Sequence, residues 1–295
     1  MATSIGLIRA SVASRSSSSR HAALLTGSRT RFIRLAVGAT TRENSHRSCC
    51  DSWHDGLVRV DELRYRIGTM RRQRPRVAFY RQFVGKGDLA FDIGAHVGDR
   101  TMLLLQTGAT VVAVEPHPAL QPKLERLVDF NRRAILVPEA VGSEPGEAEL
   151  RWPSQGLPVA SMSDEWIERV RASGRFDAEW DDRVVVRVTT LDALIERHGL
   201  PAFCKIDVEG YEEAVLCGLS QPIAALSIEF TPEYLDSTER SLRRLGELGE
   251  YCFNYCLGES LKLVEGRWLT PDELLLRLQA CDRKSFGDVY ARLVG

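Results

Sequence analysis

Four carboxylates follow apolar, β-type runs at positions that suit one binding crevice. Acids are poor strand formers, so this repetition is unusual. In an open parallel sheet, ligands bind in the crevice at the carboxyl ends of the strands. We therefore expect the four side chains to form one polar rim: Asp92, Glu115, Asp207 and Glu229.

The segment that begins at Asp92 reads DIGAHVG and has the form of a ligand-binding loop. Gly94 and Ala95 allow backbone to pass close to a ligand, and Gly98 allows tight packing of the following helix. Backbone N–H groups near a helix start can meet a carboxylate, while Asp92 can face an amino group. A cationic ligand with a carboxylate, such as S-adenosylmethionine, suits this arrangement.

Glu115 lies 21 positions after Gly94, where an acid can accept hydrogen bonds from ribose hydroxyls. Other readings of the loop fit less well. A dinucleotide site requires G-x-G-x-x-G, but residue 96 is His and the third glycine is missing. A Walker loop at residues 85–87 lacks the spacing and the Ser/Thr. A generic strand–helix turn stays open as the structural alternative.

A second charged segment, residues 205–212, reads KIDVEGYE. An unpaired ammonium inside an apolar strand would be costly, so Lys205 should pair with a nearby acid or reach the rim. Asp207 and Glu209 project on one side if the backbone is extended, and either can then act as general base toward a substrate hydroxyl. Alternatively, both acids favour the N-terminus of the next helix.

The elements that must position these groups alternate between strand and helix. This alternation implies βαβ units and a largely parallel sheet. Apolar runs at 251–256 and 261–264 predict a closing hairpin, and with it one antiparallel edge strand. Thr270, Pro271 and Glu273 supply the cap, first-turn proline and acid of a helix start. The other predicted strands are 89–93, 110–114, 134–137, 184–188, 202–206 and 223–228.

Three parts of the chain differ in character. Residues 56–84 predict a helical lead-in, and residues 85–295 predict the main domain. An insertion at about 146–182 combines a small β excursion with a charge-rich helix. Insertions after the third strand lie near the substrate side of such sheets, so this one is either a lid or a passive surface loop.

We predict that residues 1–55 form no part of the core. The first fifty residues hold eight arginines and a single acid, Glu43. Such a segment is disordered, an organelle transit peptide, or an over-extended start with Met70 nearer the true beginning. We expect a cytoplasmic protein, or an organellar one if residues 1–50 are a transit peptide.

Composition excludes several classes of function. The formal net charge of -1 gives no overall basic field for nucleic acid. No apolar run approaches the roughly 18 residues of a membrane span. The seven cysteines include no pair with zinc spacing and indicate thiols in a reducing compartment. We expect neither a nucleic-acid partner nor stable membrane insertion, and the oligomeric state stays open.

Together the motifs resemble the FkbM-type methyltransferase family over about residues 85–260. The KIDVEGYE string is the most specific part, and further matching segments are 91–95, 114–116, 140–142 and 190–192. The resemblance implies an α/β, Rossmann-like class I methyltransferase fold: a mostly parallel seven-stranded sheet with helices on both faces. It also implies S-adenosylmethionine as cofactor, and usually O-methylation of a small molecule or sugar.

The resemblance assigns roles residue by residue. Asp207 or Glu209 is the first choice for the base, then Glu229, with Lys205 beside them; His96 is a less favoured base. The rim carboxylates can hold a divalent metal, but nothing in the sequence requires one, so we expect no metal site. The implied cofactor-binding residues are Asp92, Gly94, Ala95, His96, Gly98, Glu115, Pro116, Ala140 and Val141.

Two alternative functions stay open. A non-catalytic donor-binding or scaffold protein has the same fold, although the intact rim acids argue against it. The other alternative is a nucleic-acid or protein N-methyltransferase. Amino-group methylases that act on bases often carry Asn-Pro-Pro-Tyr after the fourth strand, where this chain has Asp-Val-Glu-Gly at 207–210. We expect a small-molecule or glycan acceptor.

Overall fold

The computed structural model describes residues 73–155 and 159–294. The strands are β1 (Leu89–Ile93), β2 (Thr110–Val114), β3 (Ala134–Val137), β4 (Ala140–Val141), β5 (Gly146–Trp152), β6 (Asp182–Thr189), β7 (Phe203–Ile206), β8 (Ala225–Phe230), β9 (Tyr251–Leu257) and β10 (Gly287–Leu293). The predictions for residues 1–55, and the first part of the predicted lead-in, lie outside the described residues.

Helices connect most of these strands. They are α1 (residues 73–80), α2 (Asp99–Thr107), α3 (Gln121–Asp129), α4 (Asp164–Ser173), α5 (Leu191–His198), α6 (Glu212–Cys217), α7 (Leu235–Leu248) and α8 (Pro271–Gln279), with a 3-10 turn at Pro232–Tyr234 before α7. Across the described parts of the chain, no helix has both the length and the apolar character that crossing a membrane requires.

The main sheet has seven strands in the order β3-β2-β1-β7-β8-β10-β9. Strands β3, β2, β1, β7 and β8 are parallel neighbours. Strand β10 is antiparallel to both β8 and β9. The predicted seven-stranded, mostly parallel sheet is therefore confirmed. The antiparallel strand, however, lies one place in from the edge that we expected it to occupy.

The predicted hairpin of 251–256 with 261–264 is wrong. Strand β9 pairs with β10 instead, and residues 261–264 form no strand. The side chain of Asn254 explains the difference, because its amide nitrogen donates to the carbonyls of Glu265 at 2.9 Å and Arg267 at 3.0 Å. The returning segment is thus held by this side chain and by single backbone contacts such as the Phe253–Leu269 bridge, rather than by a continuous strand ladder, while Leu261 enters the core.

Helices cover both faces of the main sheet, as predicted. On one face, residues of α1 and α2 pack with Phe203 and Tyr290, and Leu124 of α3 packs with Ala113 of β2. On the other, α5 to α8 bury apolar residues such as Leu216 and Leu245 against β1, β7 and β8. The acids that end these strands therefore share one open edge between two apolar layers.

The predicted insertion contributes a second sheet and a helix. Strands β4, β6 and β5 form this small sheet, with β5 antiparallel to β6. Helix α4 begins after Ser163, whose hydroxyl accepts a hydrogen bond from the N–H of Trp166 at 3.1 Å. Trp166, Ile167 and Val170 then pack in a separate apolar cluster with Tyr234.

Candidate functional site

A cavity of about 450 Å³ opens at the carboxyl ends of the central strands. This volume lies within the roughly 300–1,000 Å³ usual for small-molecule sites. Six of the predicted cofactor-binding residues line it, namely Gly94, His96, Glu115, Pro116, Ala140 and Val141, together with Asp207 and Glu209. The sequence motifs therefore converge on one cavity.

Gly94 brings the loop after β1 directly against the end of β7. Its φ of +80° lies in the left-handed region, and an added Cβ would lie 1.8 Å from the carbonyl oxygen of Asp207. Only glycine fits such a position. The close approach is thus to Asp207 backbone, and it joins the predicted donor loop to the charged segment.

Three predicted residues, Asp92, Ala95 and Gly98, do not line the cavity. Asp92 is fully buried in β1, and its Oδ2 accepts a hydrogen bond of 2.5 Å from the hydroxyl of Thr101. Burial raises the pKa of Asp92, against the lowering effect of Lys205. The carboxylate therefore joins α2 to the sheet. Gly98 instead faces Leu124 and Leu127 of α3.

Glu115 connects the two loops at the cavity floor. Its Oε2 accepts the N–H of His96 and its Oε1 accepts the N–H of His117, both at 2.8 Å. The side chain is buried, and burial raises the pKa of Glu115 to about 6 despite these two bonds. Each carboxylate oxygen can accept a further bond, so ribose hydroxyls fit this acid.

The opposite wall comes from residues that the sequence did not reveal. Trp152 of β5 lies with its ring 4.4 Å from that of His117, and both line the cavity with Leu150 and Met162. No motif marks these positions. They reach the cavity because the small sheet folds back over the predicted donor loop, a contact that depends on the pairing of β5 with β6.

Three of the four predicted catalytic residues meet in one cluster. Asp207, Glu209 and Glu229 each place one carboxylate oxygen within 4.8 Å of the others. Lys205 is almost fully buried beside them, with Nζ 2.5 Å from Oδ2 of Asp207. The predicted pairing of Lys205 is thus an ion pair with Asp207. Of the three carboxylates, only Asp207 and Glu209 line the cavity.

For Asp207, burial and the charge of Lys205 shift the pKa in opposite directions. Burial favours a higher pKa for Asp207, but the charge and hydrogen bond of Lys205 bring its pKa below the ordinary value. Burial raises the pKa of Glu209 most, and the charge of Asp207 raises it further. Burial likewise raises the pKa of Glu229 most, and the charge of Glu209 raises it further. The cluster therefore combines one acid of lowered pKa, Asp207, with two acids of raised pKa, and that of Glu209 is raised to about 8.

The backbone at the cluster is a turn, so the expectation of an extended segment is wrong. Glu209 has a φ of +52° and Gly210 one of +89°. Glu212 holds this turn, because its Oε1 accepts the N–H groups of Val208 at 3.1 Å and Gly210 at 3.2 Å. Glu212 was not among the predicted site residues, and burial raises its pKa to about 7.

The acid cluster also bears on metal binding. Carboxylate oxygens at this spacing are suitable ligands for a divalent cation. The ion pair of Lys205 with Asp207 already supplies one positive charge to the same oxygens.

The chain is similar to several solved structures of methyltransferases. The precorrin-6y C5,15-methyltransferase of Geobacter metallireducens is 11% identical, with 74% of this chain and 86% of that chain covered and a TM-score of 0.39. An S-adenosylmethionine-dependent O-methyltransferase of Thermotoga maritima is 12% identical, with 75% and 66% covered and a TM-score of 0.35. No curated protein matches the sequence.

The sequence also matches a known protein family. The methyltransferase FkbM domain matches residues 92–248, more than half of the 295 residues. The match runs from the buried acid of β1 to the end of α7 and includes both the cavity floor and the carboxylate cluster. The chain therefore belongs to the FkbM methyltransferase domain family and is an S-adenosylmethionine-dependent methyltransferase.

Proposed function

We propose that this methyltransferase acts on a hydroxyl group of a small molecule or sugar. The observation that carries the proposal is the position of Glu209, a carboxylate of raised pKa at the wall of the donor cavity. A hydroxyl acceptor must lose its proton as the new bond to carbon forms. A general base is most effective when its pKa lies near the working pH.

Donor binding follows from the cavity floor. Glu115, which lines the cavity, accepts the ribose hydroxyls. Ala140 and Val141 contact the adenine side, with the apolar wall of Leu150 and Trp152 opposite. Burial of the ring between these residues excludes water from the site.

The donor supplies a methyl group already activated by its sulfonium, so much of the catalysis is the positioning of the acceptor. The ionised form of Glu209, which is populated as the pH approaches its raised pKa of about 8, takes the acceptor proton. Asp207 stays ionised beside Lys205 and contributes negative charge near the acceptor oxygen and the cationic donor. Glu229 lies against both carboxylates but does not line the cavity, so it shares their protons.

Two measurements test the proposal. Calorimetry of the full chain with S-adenosylmethionine tests donor binding, and formation of S-adenosylhomocysteine with a panel of sugars and hydroxylated small molecules tests transfer. Glu209→Gln and Asp207→Asn should lower turnover by about 10²–10⁴-fold for the base, with donor affinity measured separately. Glu247→Gln, at an exposed position of α7, is the matched control.

Full turnover by both variants would refute the base assignment. Turnover with amines but with none of the hydroxyl acceptors would refute O-methylation. Tight donor binding with no transfer to any acceptor would favour the non-catalytic alternative.

A further inference from the structure

The insertion contacts the turn that carries Glu209. The hydroxyl of Ser161 donates a hydrogen bond of 2.6 Å to the carbonyl oxygen of Glu209. Ser161 is fully buried, and its backbone pairs with Arg151 of β5 in both directions at 2.9 Å. The small sheet is therefore bonded directly to the backbone of the proposed base.

Helix α4 packs against the next residue of the same turn. A Cβ added at Gly210 would lie 2.2 Å from Cγ of Trp166, so the indole occupies the space that any side chain would need. Trp166 is buried. The turn is thus enclosed by the hydroxyl of Ser161 at one residue and by the ring of Trp166 at the next.

The conformation that these contacts enclose is uncommon. A non-glycine residue at a φ of +52° costs of order 1 kcal/mol and persists where the surroundings fix it. Because the insertion supplies the bond to the carbonyl of Glu209, its contacts help to hold this strained backbone.

The other side of the insertion is anchored to the main domain. Arg169 of α4 donates to both carboxylate oxygens of Asp236 at 2.9 Å, and Arg175 forms a half-buried ion pair with Glu233. Arg175 also donates to the carbonyls of residues 283–285. Because the insertion is held on both sides, it can hold the turn that carries Glu209 in one position.

We propose that the insertion is a brace for the catalytic turn and that Ser161 is its positioning residue. The role rests on the proposed function of Glu209, on which Ser161 acts through the backbone. Of the two sequence-based alternatives, this inference rejects the passive surface loop, and it requires no opening or closing of a lid.

A test of this role can avoid the unidentified acceptor. S-adenosylmethionine carries a sulfonium charge that S-adenosylhomocysteine lacks, so the ratio of their affinities reports how the acids at the cavity wall are placed. The ratio is measured above the raised pKa of Glu209, about 8, where its carboxylate is ionised. The charged groups that act on Glu209 are Asp207, Glu212, Glu229, Lys205 and Arg175.

The decisive variants are Ser161→Ala, which removes the bond to Glu209 and the acceptor of the Ser163 N–H, and Ser161→Thr, which keeps a hydroxyl for both. Ser163→Ala is the matched control, because it removes the cap of the same α4 but leaves the bond of Ser161 to Glu209. Calorimetry with both ligands should show a loss of about fivefold in the affinity ratio for Ser161→Ala, as expected for one hydrogen bond. Ser161→Thr and Ser163→Ala should keep the wild-type ratio.

Amide hydrogen exchange gives a readout that needs no ligand. Ser161→Ala should speed exchange at Val208 and Gly210, whereas Ser163→Ala should affect only α4. An unchanged ratio together with unchanged exchange would overturn the brace, as would an equal loss of the ratio in Ser163→Ala. If the wild-type chain binds neither ligand, donor binding and with it the proposed function fails, while the exchange data still decide whether Ser161 holds the turn.

Discussion

Replacing Lys205 by methionine removes a buried ammonium and keeps most of the side-chain volume. The side chain of Lys205 is 2% exposed, and its Nζ is bonded to Asp207. It also lowers the pKa of Asp92, which is fully buried. The variant leaves both carboxylates without this charge, so each must either stay ionised at a cost or take up a proton.

The size of the effect follows from the burial of the partners. Removing one member of a buried ion pair costs about 3–5 kcal/mol. The carboxylate of Asp207 is 31% exposed and keeps part of its hydration, whereas Oδ1 of Asp92 has no hydrogen-bond partner among the described residues. We therefore expect a loss near the lower limit, about 3 kcal/mol at neutral pH, out of the roughly 5–15 kcal/mol of a typical domain.

The loss should depend on pH with a definite sign. The pKa of Asp207 is lowered in the folded chain, so its stabilisation is present above the ordinary value near about 4 and disappears at lower pH. The pKa of Lys205 is raised, so its contribution is present below about 10.4 and disappears only above it. The difference between wild type and variant should be large at neutral pH and should shrink toward pH 3.

Urea denaturation of the full chain at neutral and acidic pH measures this difference, with equal m-values required for the comparison. Lys86→Met, at an exposed position, should change the free energy of unfolding little. A loss below about 1 kcal/mol, the range of exposed pairs, would refute the account of Lys205 as a buried partner. A loss that does not change with pH would refute the electrostatic cause.

Three further variants test other parts of the structure. Glu115→Ala should weaken donor binding by about ten- to hundredfold, which is the effect of losing one or two hydrogen bonds to a charged acceptor. A donor affinity equal to that of the wild type in calorimetry would contradict this prediction. Gly94→Ala should abolish donor binding and lower the melting temperature, because its Cβ would lie 1.8 Å from the Asp207 carbonyl oxygen; an unchanged thermal scan would contradict the close approach. Thr270→Ala should lower the free energy of unfolding by about 1 kcal/mol, because it removes the capping box of α8, and should leave donor affinity unchanged. Equal denaturation midpoints for variant and wild type would refute this prediction.

The sequence predicts those parts of the site that local chemistry determines. Gly94 requires a backbone that only glycine adopts, and Lys205 requires a neighbouring acid, so their types reveal their surroundings. Thr270 and Glu273 likewise form the predicted capping box. Each of these residues meets its partner within a short stretch of chain or at the end of an adjacent strand.

Long-range pairing limits the prediction. The partner of β9 lies at 287–293, more than 30 residues away along the chain, whereas the nearer apolar run at 261–264 carried the pattern of a strand. Trp152 shows the same limit, since its place on the cavity wall depends on the pairing of β5 with β6. Periodicity locates a strand but does not identify its neighbour.

The carboxylate cluster is held together by contacts from several directions. Gly94 packs against the carbonyl of Asp207, Glu212 holds the amides of the turn, and Ser161 holds the carbonyl of Glu209. Three carboxylates within 4.8 Å repel one another when ionised, and a free turn would relieve that repulsion by moving apart. Because the backbone is fixed on each side, the repulsion is relieved by raised pKa values instead. The same contacts that cost conformational freedom thus give Glu209 a proton affinity suited to a base.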